Sequence, residues 1–256
     1  MTHVEINGAP ASLEVVHRAA TWNYGHYTSM QVRGRAVAGL DDHLRRLRLG
    51  SATLFPEAAV PGDIPELIRH ALRDLADASV RVAVLPRGDL RSADVMVSVS
   101  DPVPDAPKPP LRVRGITYER ELPQLKHMAT MGLTYHVLAA KSDGFDDVLF
   151  HGRDGLVREG SVWNAVFLDG DGTVVWPAAP MLEGITMQVL KCNLPSSARP
   201  LTRADVAGMR GAATTNSHNP AQPIAAIDGV EFPDTAKLTA LLRDAWSRAA
   251  WDPLDR

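Results

Sequence analysis

The chain has 256 residues, 45% of them apolar and 22% charged, the composition of a globular protein with room for one large or two medium domains. A net charge of -3 leaves no basic field for nucleic acid or an anionic membrane surface, so the expected partner is a small molecule. The single cysteine, Cys192, excludes an intrachain disulfide and thiol-cluster metal sites, and reads as a small buried residue in a reducing compartment. The segment Met1–Gly8 has neither a basic leader nor an apolar run, and no stretch approaches the roughly 20 apolar residues of a membrane span. A soluble, cytoplasmic protein is expected.

Asn7-Gly8 marks a tight hairpin at the start. A second hairpin runs from Tyr27–Val32 through Arg33-Gly34-Arg35 into Ala36–Leu40. From Asp41 the spacing turns helical, with Leu40, Leu44, Leu47 and Leu49 apolar and the two aspartates at the N-cap. Asp63–Asp77 predicts a helix with capping-box spacing between Asp63 and Glu66. Two strands follow, Val80–Leu85 and Val95–Ser100. The segment Asp101–Pro110 then holds five prolines in ten residues, and a stiff, donor-poor stretch of this kind is expected to separate domains. We therefore expect domains at 1–103 and 111–256 joined by a linker at 104–110.

The second half begins with a strand at Leu111–Thr117. Met131–Ser142 reads as a mostly buried helix with Met131, Leu133, Tyr135, Val137, Leu138 and Ala139 inside. Two hairpins follow, Asp147–His151 into Leu156–Glu159, and Val166–Leu168 through Asp169-Gly170-Asp171-Gly172 into Thr173–Pro177. No glutamate closes a twelve-residue loop from Asp169 or Asp171, so these aspartates do not make a calcium loop. Gly184-Ile185-Thr186 opens a helix, and Asp234–Trp251 forms the last one.

No histidine pair has zinc-helix spacing, and no nucleophile elbow, phosphate loop or dinucleotide fingerprint occurs. Lysine chemistry remains. A desolvated lysine traps carbonyls, and the cofactor that uses this most is pyridoxal phosphate. It needs a lysine, an acid at its pyridine nitrogen, an arginine for its phosphate, and helix-end or loop amides.

His43-Leu44-Arg45-Arg46-Leu47, Leu125-Lys126, Glu159-Gly160-Ser161-x-x-Asn164, Gly184-Ile185-Thr186, and Pro223-Ile224 before Ile227-Asp228-Gly229 occur in that order. This arrangement resembles the class IV aminotransferase family over about residues 23 to 230. These are the fold-type IV pyridoxal phosphate enzymes, which include branched-chain and D-amino-acid aminotransferases, (R)-selective amine transaminases and aminodeoxychorismate lyase. The resemblance implies a mixed α/β fold of two domains, a small N-terminal α/β sandwich and a larger β-rich C-terminal domain with helices, in a homodimer. It implies that Lys126 forms the Schiff base with the cofactor, that Glu159 pairs with the pyridine nitrogen, and that Arg46 holds the phosphate. Ile185, Thr186, Asn216 and Ser217 would assist with the phosphate, and a helix start favours an anion on general grounds as well. Asn164 would shape the turn behind Glu159, and Lys141 would be solvated. On the substrate side, Tyr27 is a candidate pocket wall, and Arg87 or Arg91 a candidate carboxylate ligand. The implied activity is transamination of an amino acid or amine with a keto partner, with an aminodeoxychorismate-lyase-like reaction or a non-catalytic relative as alternatives.

The substrate side departs from the family. Met131 stands where branched-chain enzymes carry a tyrosine, Tyr27-Thr28-Ser29 where Phe-Glu-Thr is usual, Met187 where an arginine follows Gly-Ile-Thr, and Ala129-Thr130 where an asparagine is common. Branched-chain specificity is therefore not expected to transfer.

Overall fold

A computed structural model describes residues 3–255, so Met1, Thr2 and Arg256, and with them part of the leader reading, lie outside the described residues. The first elements are β1 (His3–Ile6), β2 (Ala9–Pro10), α1 (Leu13–Thr21), β3 (His26–Arg33), β4 (Ala36–Ala38), α2 (Leu40–Leu54), α3 (Ile64–Leu72), β5 (Ala78–Pro86) and β6 (Ala93–Ser100). Then come β7 (Leu111–Thr117), α4 (Met131–Ser142), β8 (Asp147–His151), β9 (Val157–Gly160), β10 (Asn164–Leu168) and β11 (Val174–Pro177). The chain finishes with α5 (Ile185–Asn193), β12 (Ser196–Arg199), α6 (Arg203–Ala207), β13 (Gly211–Asn216), β14 (Asn219–Ile227), β15 (Val230–Glu231), α7 (Thr235–Ser247) and β16 (Trp251–Pro253).

The chain forms two compact units that do not follow its linear halves. The first takes the residues up to Pro104, then Leu125–Ala129, and the tail from Ala250; the second takes Asp105–Gln124 and Thr130–Ala249. Lys126 thus belongs with the first unit, although the 20 residues Asp105–Gln124 of the second come before its segment.

The first unit is an antiparallel sheet in the order β16-β4-β3-β5-β6-β1-β2. Period-two alternation divides its side chains between two faces. Val80, Val82 and Val84 join Val95, Val97 and Val99 in packing against Leu40 and Leu47 of α2 and Ile68 and Leu72 of α3. On the other face Tyr27, Ala83 and Leu85 pack with Val15 of α1. Three elements here differ from the sequence reading. Helix α2 starts one residue before the aspartates because Gly39, at φ 70°, makes the left-handed step into it, leaving Asp41 and Asp42 in the first turn. Helix α3 stops at Leu72, where Arg73 takes φ 53°, and Asp63 makes no side-chain cap bond. Helix α7 ends at Ser247, and Trp251 pairs with Ala38 as the edge strand β16.

In the second unit β10, β13, β14, β7, β8 and β9 pair in sequence, and β9 returns to β10 through Glu159 and Asn164, closing a six-stranded ring. Each of these strands sends residues to one cluster: Val113, Leu149, Val157, Phe167, Ala212 and Ile224. This cluster is the inside of the barrel. Outside it, α5 and α7 cover Val166, Leu168 and Ala213. Helix α4 covers Val148 and Phe150, but only through Leu133, Ala140 and, in part, Val137. Met131, Tyr135 and Leu138 are 81%, 66% and 60% exposed, against the expectation of a mostly buried helix. Because α4 is apolar all round, periodicity could not tell which stripe faces the barrel. Cys192, expected to be buried, is exposed near the end of α5. No helix of the described residues is long and apolar enough to cross a membrane.

Candidate functional site

In the first unit, Leu125–Ala129 lies along the start of β3. Tyr27 N–H donates to the Lys126 carbonyl at 2.9 Å, and Met128 N–H donates to the Gly25 carbonyl at 2.9 Å. Leu125 is buried and anchors the segment. These contacts set the half-buried Lys126, whose Nζ lies 5.0 Å from the centroid of the Tyr27 ring. The Arg81 guanidinium stacks over the same ring at 3.6 Å. On the opposite face of β3, Thr28 is fully buried and its hydroxyl lies 2.6 Å from Nδ1 of His43, on α2 one turn before Arg46. Burial, and then the positive charges of Arg46 and Lys126, push His43 down to about 3. Burial alone pushes His26 down to about 4. Its ring sits 2.5 Å from where a Cβ on Gly50 would stand, so this helical position requires glycine.

In the second unit, Glu159 on β9 is buried, accepting from Arg120 Nη1 at 3.1 Å and from Leu182 N–H at 3.3 Å. Both side chains are nearly inaccessible, at 6% for Arg120 and 9% for Glu159. Removing one partner from a buried pair of this kind costs about 3–5 kcal/mol. Across the strand pair, Asn164 donates to the Leu182 carbonyl at 2.7 Å and accepts from Gly184 N–H at 2.9 Å. A Cβ on Gly184 would come within 2.3 Å of the Asn164 oxygen, so glycine allows this close approach. Asn164 thereby fixes the entry to α5, whose first residues Ile185 and Thr186 are buried and whose N-cap, Gly184, offers no side-chain bond. Helix α5 packs against β13. At the end of that strand the Asn216 side chain accepts from the backbone of His218 and Asn219, at 2.9 and 3.0 Å, and Ser217 follows half-buried. Thr215 is buried, with a hydroxyl that has no hydrogen-bond partner.

The sequence pattern described as Amino-transferase class IV matches residues 25–227 of this chain. The chain belongs to the class IV aminotransferase family. No curated protein sequence matches it. Among solved structures, the branched-chain aminotransferase of Escherichia coli superposes with a TM-score of 0.82 at 17% identity, covering 99% of each chain. That of Thermoproteus uzoniensis, in a complex with norvaline, gives 0.80 at 19% identity, covering 99% of this chain and 100% of that one. A putative 4-amino-4-deoxychorismate lyase of Legionella pneumophila gives 0.73 at 19%, covering 89% and 93%. At such identities the likeness is one of fold.

This class IV aminotransferase is a pyridoxal phosphate enzyme, and its residues suit that group. A buried carboxylate beside an arginine and an amide provides an acceptor for a pyridinium proton. A buried helix start without a side-chain cap, with an orphaned Thr215 hydroxyl on the strand it packs against, provides donors for a phosphate. The structure brings Lys126, Arg46 and Tyr27 into one unit, and Glu159, Ile185, Thr186, Asn216 and Ser217 into the other. Arg87 gives its donors to Asp94, at 2.7 Å, so its guanidinium is already committed. Arg91 stands exposed beyond it, with its backbone N–H on Asp89. Sequence reading passed over Arg120, which resembles one charge in Glu119-Arg120-Glu121, and over Arg81, which looks like the exposed position of an alternating strand. It placed His43 between the apolar positions of the helix and gave it no role; the signal available was its i, i+4 spacing with Leu47.

The two buried histidines make acid stability testable. In the unfolded chain each binds a proton near pH 6.5, and in the folded chain only near pH 4 (His26) or 3 (His43). Below 6.5 the unfolded state therefore holds more protons, and stability falls with pH until the folded sites titrate. The slope is about 1.4 kcal/mol per pH unit for each histidine. The melting temperature of wild type should decline as pH drops through this window, and His43→Gln should show a shallower decline. Equal slopes in the two proteins would contradict the assignment.

Proposed function

We propose that this enzyme transfers an amino group between an amino acid or amine and a 2-oxo partner, with Lys126 as its catalytic residue. The observation that carries the reading is the buried Glu159, held by Arg120 and Leu182 N–H, because a carboxylate fixed in this way keeps a ring nitrogen protonated. Bound pyridoxal phosphate supplies a sink for the electron pair left at the substrate Cα when its proton is removed. Lys126 is the amine that anchors the cofactor and, when freed by substrate, the base that moves the Cα proton. Arg46, with Ile185, Thr186, Ser217 and the backbone at Asn216, binds the phosphate.

On the substrate side we keep Tyr27 as a pocket wall and assign the carboxylate to Arg81 rather than Arg87. Arg81 stacks on Tyr27 and makes no ion pair among the described residues, whereas Arg87 is paired with Asp94. We further propose a homodimer, supported by the exposed stripe of Met131, Tyr135 and Leu138 on α4. We place the enzyme in the cytoplasm, where a single exposed cysteine stays reduced.

Purified enzyme with added cofactor should show a visible absorption band that Lys126→Ala lacks; a colourless wild type would refute the cofactor role of Lys126. An amine donor alone should convert that spectrum stably, and a 2-oxo acid should restore it. A lyase would instead regain the starting spectrum without the oxo acid.

Losing one charge-assisted carboxylate contact costs about 1.5–3 kcal/mol. Arg81→Gln should therefore raise KM for amino-acid donors roughly 10- to 100-fold, with kcat little changed and amines lacking a carboxylate unaffected. An unchanged KM would move the carboxylate elsewhere, with Arg91 the next residue to substitute.

Sedimentation should give twice the chain mass for wild type, and a shift toward monomer for Tyr135→Glu combined with Leu138→Glu. A monomeric wild type would remove the dimer.

A further inference from the structure

Inside the barrel of the second unit, at the end covered by α6, lies a cavity of about 330 Å³. Its walls are apolar, chiefly Leu149, Val157, Val206 and Ile227, and three polar side chains, His151, Arg203 and Asp228, also line it. It includes none of the residues assigned above to cofactor or substrate. We propose that it binds a small apolar monocarboxylate.

The cavity is built, rather than left over from loose packing. Gly115 pairs with Leu149 in the sheet, and a Cβ there would come within 2.5 Å of the Asp228 carboxylate. Without it, Asp228 seats against the strand, accepting from Gly115 N–H at 2.9 Å and from Arg203 Nη2 at 2.7 Å. Each Asp228 oxygen thereby has a donor. Arg203 keeps Nε and Nη1 without an acceptor among the described residues, on a side chain that is 58% exposed at the rim. His151 is 8% exposed, with Nδ1 3.3 Å from the Thr117 hydroxyl and a buried Nε2 that has no partner. An orphaned buried polar atom costs about 1–3 kcal/mol, a penalty that a ligand atom would relieve. In the tautomer whose Nδ1 accepts from the Thr117 hydroxyl, Nε2 carries the proton and is a donor.

With the Asp228 oxygens each engaged by a donor, the groups left for a ligand in that tautomer are the His151 N–H and the Arg203 guanidinium, over aliphatic walls. That set selects an anionic head on an apolar body. Arg203 is the one cation of the lining and is already paired with Asp228, so a ligand carries at most a single negative charge, held at the solvent-screened rim, and a phosphate dianion is excluded. The volume, near the lower limit for small-molecule pockets, fits a branched or aromatic acid of a few carbons.

The test is titration of the cofactor-loaded enzyme with 3-methylbutanoate, following the histidine ring nitrogens by NMR. A saturable shift of the His151 Nε2 signal is expected, and it should persist in Lys126→Ala, which separates it from any binding at the cofactor. Arg203→Gln should weaken the binding about tenfold or more, and 3-methylbutanol should bind wild type at least as weakly as that variant binds the acid. Ala207→Leu, which fills the cavity and leaves the ion pair intact, should abolish the shift and covers the case in which Arg203→Gln fails to fold. No saturable shift, equal affinity for the alcohol, or a shift that survives Ala207→Leu would overturn the proposal.

Discussion

The second unit depends on one strand pairing, Glu159 with Asn164. It closes the ring of strands, and it sets a carboxylate and an amide side by side at the seam. Each then reaches the same short segment: Glu159 accepts the Leu182 amide, and Asn164 takes the Leu182 carbonyl and the Gly184 amide. The start of α5 is thus positioned by the same register that buries the carboxylate. A one-residue slip would turn both side chains to the other face and release the helix entry with them. Arg120 belongs to this constraint, since a carboxylate this deeply buried requires a cation or a proton.

The first unit has the opposite electrostatic character. Arg46, Lys126 and Arg81 gather around β3, and the positive field of the first two is felt at His43. Like charges brought together destabilise a fold unless an anion joins them or a group gives up its proton. His43 gives up its proton, held neutral by burial and by the Thr28 hydroxyl. Arg81, which makes no ion pair among the described residues and lies over the Tyr27 ring, is suited to an anionic group supplied from outside the chain.

Local rules made much of this legible in sequence. The Asp-Gly and Asn-Gly turns marked the hairpins around β1–β2, β8–β9 and β10–β11, and the leucine spacing marked α2. What stayed hidden is settled by tertiary contact. Helix α1 buries Val15 but leaves Leu13 and Val16 exposed, so its apolar residues do not mark the face it buries. Strand β16 follows directly on a helix and exists because the β4 edge is there to pair with it. On α4 the sequence is apolar on every side, and the barrel selects one stripe. Cys192 illustrates the limit of composition, since a residue type that is usually buried falls here on the outward face of α5.

The same division explains why cofactor chemistry could be inferred from motifs while substrate chemistry could not. Lys126, Glu159 and the Gly184-Ile185-Thr186 turn are tied to backbone register, and register leaves compact signatures in sequence. The side chains we propose for the substrate, Tyr27 and Arg81, lie instead on one face of β3 and β5, some fifty positions apart and brought together by pairing. Ser29 lies opposite Arg81, and Tyr27 opposite Ala83, in that pairing. The small Ser29 and Ala83 leave the Arg81 guanidinium free to lie across the Tyr27 ring rather than being pushed toward solvent. A bulky residue at position 29 would compete for that space. The short side chains beside the arginine, as much as the arginine itself, therefore decide whether this face presents a cation to a carboxylate.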